Sequence, residues 1–370
     1  MLGYFALLLL FLLCFSGSFY WGLREWLRPW DDAPLPIDVE YVRVENYLGA
    51  SFRAKMQQWL AAAHPNGAVT PDSPVRLRLG PPPGQRLLTL PAGRFESQHE
   101  HDELVYCEGD LALAGGSIFH KEIYCRGNFE TEASVRLRAV AADGDVILGA
   151  DNHVERWVDA QRKVFLRSGS VIGSRVSSLE SVELERRVSV QSVYAPLIVT
   201  PGYHPIPNGA ASPELEAAPA MPATPAGTTP ALPPYLEGSR CSPLAPDTWL
   251  VQGDLNLVSD SRVECNLVVK GRLHSGSDCY FAGDLKAAGV KLGSRNQVLR
   301  NLVSEGSLEV GEASFLAQSV VAETNMRLSP GVRVGRPDSP GVVSAGGEVV
   351  LEENVAICGK ATARRGIRTV

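Results

Sequence analysis

Residues 106–129 read YCEGDLALAGGSIFHKEIYCRGNF, and this stretch contains one short pattern twice. Tyr106 and Cys107 recur 18 residues later as Tyr124 and Cys125. Each pair is followed by one variable residue, a glycine, an aspartate or asparagine, and then an apolar residue. A fixed period of this length is typical of repeat architectures.

The same pattern continues through two blocks of the chain. Its first apolar position falls at Leu111, Phe129, Val146, Val164 and Val182, and again at Leu255, Leu273, Val290, Leu308, Met326 and Val349. The steps are 18, 17, 18 and 18 in the first block, and 18, 17, 18, 18 and 23 in the second. A second apolar column follows two residues later, and a third column is predicted at Ile118, Val135, Val154, Val171 and Val188.

These columns predict an all-β fold, a parallel β-solenoid. An apolar–polar–apolar triplet is a short strand with alternate residues inward, and the Gly and Asn/Asp residues supply turns. Three such sides form one coil of about 17–18 residues, which stacks on the next coil by parallel pairing. Eleven coils in one continuous stack would form a rod about 50 Å long.

Segments outside the repeats define the rest of the organisation. Residues 1–23 are apolar and uncharged, long enough for a transmembrane anchor, with a cleaved signal peptide as the competing interpretation. Residues 24–103 form a tether and a helix-bearing pre-domain, with a short amphipathic helix predicted over 46–64 that packs on the next domain. The first solenoid block spans 104–199, a proline-rich linker 200–248 and the second block 249–370.

Charge and motifs exclude several function classes. The net charge is −6, so the chain lacks the basic footprint of a nucleic-acid-binding protein. No phosphate-binding loop or dinucleotide fingerprint occurs, and we expect no nucleotide and no cofactor. Arg24 and Arg28 follow the apolar segment, which favours a cytoplasmic body on the inner membrane; a periplasmic body is the alternative.

The candidate chemical groups are weak. Cys107 and Cys125 occupy one column of adjacent coils and form either a buried thiol ladder in a reducing compartment or a disulfide in an exported protein. The segments QHEHDE (98–103) and GADNHVERWVD (149–159) gather possible ligands and carboxylates, but their spacing favours solvated loops and turns. We therefore expect no catalytic and no metal-binding residues.

The segments CEGDLAL, CRGNFET, VQGDLNL, VKGRLHS and SEGSLEV together resemble the bactofilins, a family of polymer-forming cytoskeletal proteins. The resemblance covers roughly residues 104–199 and 249–360. It implies a right-handed triangular β-helix without catalysis or nucleotide, which polymerises end to end through apolar terminal coils and scaffolds envelope enzymes at the membrane. The chain departs from the family pattern in its membrane span, its pre-domain and its second block.

The resemblance also suggests where self-association would occur. The last coil of the second block carries Val349, Leu351, Val355 and Ile357, and this coil is the candidate interface. Our leading hypothesis is a non-enzymatic, membrane-anchored scaffold of the bacterial cell envelope that self-associates or organises envelope proteins. The alternatives are an exported, tethered solenoid serving polysaccharide or envelope assembly and, less favoured, a carbohydrate-active enzyme.

Overall fold

The structure is a computed structural model that describes residues 46–63, 75–78, 86–96, 99–204, 236 and 240–370. The predicted anchor (1–23), the tether and most of the proline-rich linker lie outside these residues. In the described part of the chain, no helix has the length and apolar character needed to cross a membrane. All described residues belong to one compact unit, Asn46–Val370.

One helix and 16 strands form the first part of this unit. They are α1 (Tyr47–Ala63), β1 (Val75–Arg78), β2 (Arg86–Leu90), β3 (Gly93–Phe95), β4 (Glu100–His101), β5 (Leu104–Cys107), β6 (Leu111–Leu113), β7 (Ile118–Cys125), β8 (Phe129–Thr131), β9 (Arg136–Ala142), β10 (Val146–Leu148), β11 (His153–Val154), β12 (Trp157–Ala160), β13 (Lys163–Leu166), β14 (Val171–Ser178), β15 (Ser181–Leu184) and β16 (Ser189–Val199). Helix α1 coincides with the predicted helix.

The second part contains 17 strands. They are β17 (Cys241–Ala245), β18 (Thr248–Val251), β19 (Leu255–Leu257), β20 (Arg262–Val263), β21 (Asn266–Ser275), β22 (Tyr280–Phe281), β23 (Leu285–Leu292), β24 (Gln297–Val298), β25 (Leu302–Ser304), β26 (Leu308–Val310), β27 (Phe315–Leu316), β28 (Val320–Ala322), β29 (Met326–Leu328), β30 (Arg333–Val334), β31 (Gly341–Ala345), β32 (Glu348–Leu351) and β33 (Ala356–Thr369).

Each coil has three sides, which we number in chain order as first, second and third. Leu111 of the second side pairs in parallel register with Phe129, which pairs with Val146 of the next coil. The ten residues of the predicted column are all 4% exposed or less and point into the core: Leu111, Phe129, Val146, Val164, Val182, Leu255, Leu273, Val290, Leu308 and Met326. The predicted parallel β-solenoid is therefore confirmed.

The third column agrees with its prediction at Val135, Val154 and Val188, each at most 1% exposed, and differs at Ile118 and Val171. The pairs Phe119 with Leu137 and Val154 with Ile172 point inward, whereas Val171 is 39% exposed. The strand register on this side begins one residue later than the apolar pattern suggested at Ile118 and Val171. Because side chains alternate between the two faces of a strand, a shift of one residue moves each of them to the other face.

The turn between second and third sides explains part of the repeat. One residue there adopts a positive φ angle in every complete coil, and its position moves along the chain in the same steps as the apolar columns, 17 or 18 residues and 23 at the last coil. These residues are Gly116, Ser134, Asp151, Gly169, Arg187, Asp260, Asp278, Arg295, Ala313, Gly331 and Asn354. Gly, Asn and Asp tolerate this left-handed conformation best, which accounts for much of the turn composition.

The Gly-Asp/Asn pair has a different role, at the corner between first and second sides. The Asp110 side chain accepts a hydrogen bond from the Asn128 N–H at 2.7 Å, and Asn128 accepts one from the Asp145 N–H at 2.9 Å. A Cβ atom on Gly127 would lie 2.3 Å from the Asp110 carboxylate oxygen. Glycine is required there because the side chain of the preceding coil occupies the space. We call this series of bonds the Asx ladder.

Both stacks begin earlier than predicted. In the first stack, β2 pairs in parallel with β5 and β3 with β6, which adds a coil before residue 104. In the second stack, β17 packs antiparallel on β18, so residues assigned to the linker belong to the solenoid. The solenoid has about 14 turns in place of the expected eleven.

The two stacks meet at their C-terminal coils. Strands β16 and β33 pair antiparallel, with Val193 opposite Ala361 on the first sides. Elsewhere in this pair a second side of one stack faces a third side of the other, as Ile198 faces Ile357. A twofold rotation perpendicular to the solenoid axis produces this exchange of sides. The blocks thus do not form one continuous parallel stack; they are joined tail to tail, and their first coils are the two opposite ends.

Candidate functional site

The end coil expected to mediate self-association is enclosed within the chain. Val349, Leu351, Val355 and Ile357 are each at most 1% exposed. The coil that contains Ile357 and the final strand β33 is covered by β16 of the first stack. This differs from the expected open terminal coil, and the reason is the tail-to-tail junction, which the apolar pattern does not encode.

The opposite end of the second stack presents open sheet edges. We call this surface the head end; it comprises β17, β19, β20 and the turn at Val258. Among the described strands, β19 pairs with β21 alone and β20 with β22 alone. Leu244 is 62% exposed and Val258 is 79% exposed, the two highest values among the large exposed apolar side chains of the described residues.

One residue of the linker contributes to the core. Leu236 is completely buried and belongs to the apolar core of the solenoid. It lies five residues before β17 in the chain, close in sequence to the first coil of the second stack. Leu236 was not singled out from the sequence, because a lone leucine in a proline-rich segment carries no periodic signal.

Helix α1 covers an apolar face on the outside of the first stack. Met56 is fully buried there, and Phe52 packs edge-to-face against Trp157 with ring centroids 5.6 Å apart. The face is formed by outward side chains of successive first sides: Leu87, Leu104, Tyr106, Tyr124, Ala139, Ala141 and Trp157. The predicted packing of this helix on the neighbouring domain is therefore observed.

A buried ion pair fixes the position of α1. Arg53 binds the Asp159 carboxylate and donates to the Ala142 carbonyl at 2.7 Å and to the Asp143 carboxylate at 3.0 Å. Burial raises the pKa of Asp159, and the Arg53 charge and the Ser177 hydroxyl oppose that rise. A Cβ on Gly49 would lie 2.2 Å from the Asp159 carboxyl carbon, so glycine permits this close approach. Asp159 thus holds α1 against the first stack.

The two cysteines of the opening stretch lie side by side in the core. Cys107 and Cys125 are paired in register on adjacent first sides, both are 0% exposed, and neither forms a disulfide. The hydrogen bond between the two thiols raises the pKa of Cys125 and lowers that of Cys107. Both thiols point into the solenoid and are enclosed by it, so the pair is part of the apolar core.

The other polar clusters do not converge. His101 is 6% exposed and stacks on Phe119 with ring centroids 4.8 Å apart, so it is part of the interior. His153 and Glu155 lie in or beside β11, on the outer wall. Among the described residues, no three His, Cys, Asp or Glu side chains are placed to hold a metal ion.

No family model matches the chain, and no solved structure gives a significant match. The chain is similar to the "Bifunctional protein GlmU" of Lactobacillus helveticus (strain DPC 4571), at 23% identity over 124 residues. That alignment covers 31% of this chain and 27% of the relative, so the similarity is confined to about a quarter of the relative's length.

Proposed function

We propose that this protein is a non-enzymatic scaffold of the bacterial cell envelope, anchored by residues 1–23 and resembling the bactofilins, which self-associates through the head end of the second stack. The observation that supports this most strongly is the asymmetry between the two ends of that stack. Its tail is closed by the first stack, whereas among the described strands β19 and β20 at its head each pair on one side alone, beside the exposed Val258.

The physical chemistry of an open edge favours association. Unpaired backbone N–H and C=O groups at a sheet edge are a template for pairing with another strand. Exposed apolar side chains beside them add a hydrophobic contribution on burial. The β16–β33 junction supplies a precedent within the chain, since it joins two coils of this solenoid by antiparallel pairing.

The proposal also places the solenoid body on the cytoplasmic side of the membrane. All six cysteines outside residues 1–23 lie in described segments, and none of the six belongs to a disulfide. A reducing compartment preserves such thiols. Labelling with a membrane-impermeant thiol reagent in intact cells tests this directly, because the half-exposed Cys241 is labelled only in an exported body.

Sedimentation of the purified full chain in nonionic detergent tests self-association. We expect concentration-dependent oligomers in the wild-type chain and a single-chain species in Val258→Lys, because a lysine beside an open edge opposes pairing. Leu179→Lys is the matched control, since Leu179 is also an exposed apolar residue (46%) but lies in a turn of the first stack. A wild-type chain that stays monomeric, or equal loss of association in both variants, would contradict the proposal.

A further inference from the structure

The repeat contains one coil of 17 residues in the second stack, and its missing residue lies at a corner between first and second sides. Three residues separate Val269 from Leu273, and three separate Ser304 from Leu308. In the coil between them, only Ala288 and Gly289 separate Ala287 from Val290. The short corner opens a groove with a volume of 460 Å³. We call it the corner groove.

The corner groove is a basic site with one carboxylate. Its walls carry Arg272, His274, Lys291, Ser307 and Glu309, and Gly289 lies between the coils of Arg272 and Ser307. Lys291 and Glu309 pair at 3.2 Å. Among the described residues, no carboxylate lies within ion-pair distance of Arg272, so its guanidinium is the free positive charge of the groove.

The Asx ladder is interrupted at this corner. The Asp254 carboxylate accepts from the Arg272 N–H at 2.7 Å, as the ladder requires. The next three positions of the ladder hold Arg272, Gly289 and Ser307 in place of Asp or Asn. The ladder resumes at Asn325, whose side-chain oxygen accepts a hydrogen bond from the Glu348 N–H at 3.0 Å. No side-chain oxygen accepts from the N–H groups of Gly289 or Ser307 among the hydrogen bonds of the described chain. Gly289 lies in β23 and pairs in register with Arg272, so its N–H belongs to the β21–β23 ladder. Ser307 lies between β25 and β26, and its N–H borders the groove without the side-chain oxygen that its counterparts have.

We propose that the corner groove binds a phosphate monoester. An anionic oxygen of the ligand takes the position that an Asp or Asn oxygen occupies elsewhere in the ladder, and accepts from the Ser307 N–H. Arg272 donates to a second oxygen, and its planar fork matches phosphate geometry. A phosphate monoester has three terminal oxygens, enough for the Ser307 N–H and both arms of the Arg272 guanidinium, whereas a carboxylate has two. The groove is larger than one phosphate, which leaves room for the group that carries it.

This site is independent of self-association, because its residues lie in the inner coils of the second stack. Binding can thus be measured whether or not the chain oligomerises. The ligand is either a soluble phosphate ester or a lipid headgroup, and the two share the same phosphate chemistry.

Titration calorimetry of the full chain in nonionic detergent tests the proposal, with glycerol 3-phosphate as the probe and inorganic phosphate, acetate and glycerol for comparison. We expect saturable binding of the phosphates and none of glycerol or acetate. Cosedimentation with phosphatidylcholine vesicles, with and without phosphatidic acid, is the lipid arm. Binding restricted to phosphatidic acid vesicles assigns the headgroup as the source. Absence of binding in both arms, or acetate as tight as glycerol 3-phosphate, overturns the proposal.

Three variants sharpen the test. Arg272→Asn removes the free charge and keeps a polar side chain at this corner, so we expect at least about tenfold weaker binding with an unchanged melting temperature. Gly289→Asp fills the groove with a carboxylate and abolishes binding; a Cβ there would lie 3.5 Å from the nearest atom, an ordinary contact. Glu309→Gln frees Lys291 and tightens binding several-fold.

Arg136→Ala removes an exposed arginine from the first stack and serves as the control. We expect its affinity to equal that of the wild-type chain. Wild-type affinity in Arg272→Asn, or equal weakening in Arg136→Ala, would show that the attraction is a general effect of surface charge and would refute the site.

Discussion

At the scale of single residues, the Gly-Asp/Asn signature is explained by contacts between coils. Each Asp or Asn uses its side-chain oxygen to hold the corner of the next coil, and each glycine leaves room for that oxygen. The signature recurs because the coils that carry it make the same bond to their neighbours. The sequence pattern alone suggested a turn within one coil, since a hydrogen bond between residues 18 positions apart is visible only once the coils are stacked.

Removal of one ladder oxygen tests this role. Asn128→Ala deletes the acceptor for the Asp145 N–H. We expect the free energy of unfolding to fall by about 1 kcal/mol, the usual net worth of one hydrogen bond. Chemical denaturation measures the change. Glu130→Ala, an exposed position on the same coil, is the control and should leave stability within about 0.5 kcal/mol.

The raised pKa of Tyr124 predicts that the folded state loses stability at high pH. Burial, followed by the hydrogen bond to Asp143 at 2.8 Å, raises its pKa to about 12 from 10.0. Between these values the unfolded chain loses the phenolic proton while the folded chain retains it. The contribution to stability is therefore complete below pH 10 and is lost as pH rises through about 12.

Measurement of unfolding free energy at pH 9 and pH 12 checks this sign. At pH 12 the phenol is half ionised in the folded chain and almost fully ionised in the unfolded chain, so the wild-type chain should lose about 2 kcal/mol more than Tyr124→Phe over this interval. Phenylalanine at this position keeps the aromatic ring under α1 and has no proton to lose. Equal pH dependence in the two proteins would contradict the account.

At the scale of elements, strands and helix were predictable to different degrees. The inward columns at Leu111 and Leu255 followed from spacing, because period-two alternation in short triplets repeated at every coil. Helix α1 followed from its 3.6-residue apolar period. The Arg53–Asp159 pair did not, since its partners lie 106 residues apart and a lone arginine on an amphipathic helix is ordinary. Gly49 was the one indication in the sequence, because a glycine inside a helix can mark a place where another segment packs closely against the helix.

The ion pair of α1 should be essential for helix docking. Arg53→Ala leaves the Asp159 carboxylate buried without its partner, and loss of one member of a buried pair costs about 3–5 kcal/mol. We expect rapid amide hydrogen exchange across α1 in this variant while the solenoid strands stay protected. Gln58→Ala, at an exposed position of the same helix, is the control. Unchanged protection of α1 in Arg53→Ala would contradict the docking role.

At the scale of the whole molecule, the repeat period predicted two solenoid blocks but not their relative direction. The same apolar columns would be buried if the second block continued the first stack in parallel or if the two stacks were joined tail to tail. The sequence around Val349 and Leu351 is therefore compatible with both arrangements. What decides between them is the pairing of β16 with β33, where Ser192 lies opposite Thr362. For the same reason, the sequence could not show that the last coil is covered and the head end open.

A pair of engineered cysteines reports on the junction. Opposite residues of antiparallel strands have Cα atoms about 4.5–5.5 Å apart, within disulfide range. We expect Ser192→Cys with Thr362→Cys to form an intramolecular disulfide on mild oxidation, counted by mass spectrometry of the digested chain. Ser192→Cys with Ser344→Cys is the control, because Ser344 lies one coil farther away and should not react. A disulfide in the control alone would contradict the tail-to-tail arrangement.

The central claim is that a doubled, tail-to-tail solenoid associates through its exposed head end, and particle length tests it most directly. About 14 turns at about 4.8 Å each give a rod of about 67 Å. Electron microscopy of the full chain in detergent should show rods of about 135 Å, two chains joined at their heads, and rods of single length in Val258→Lys. Single-length rods in the wild-type chain at all concentrations, or double-length rods in the variant, would contradict the account.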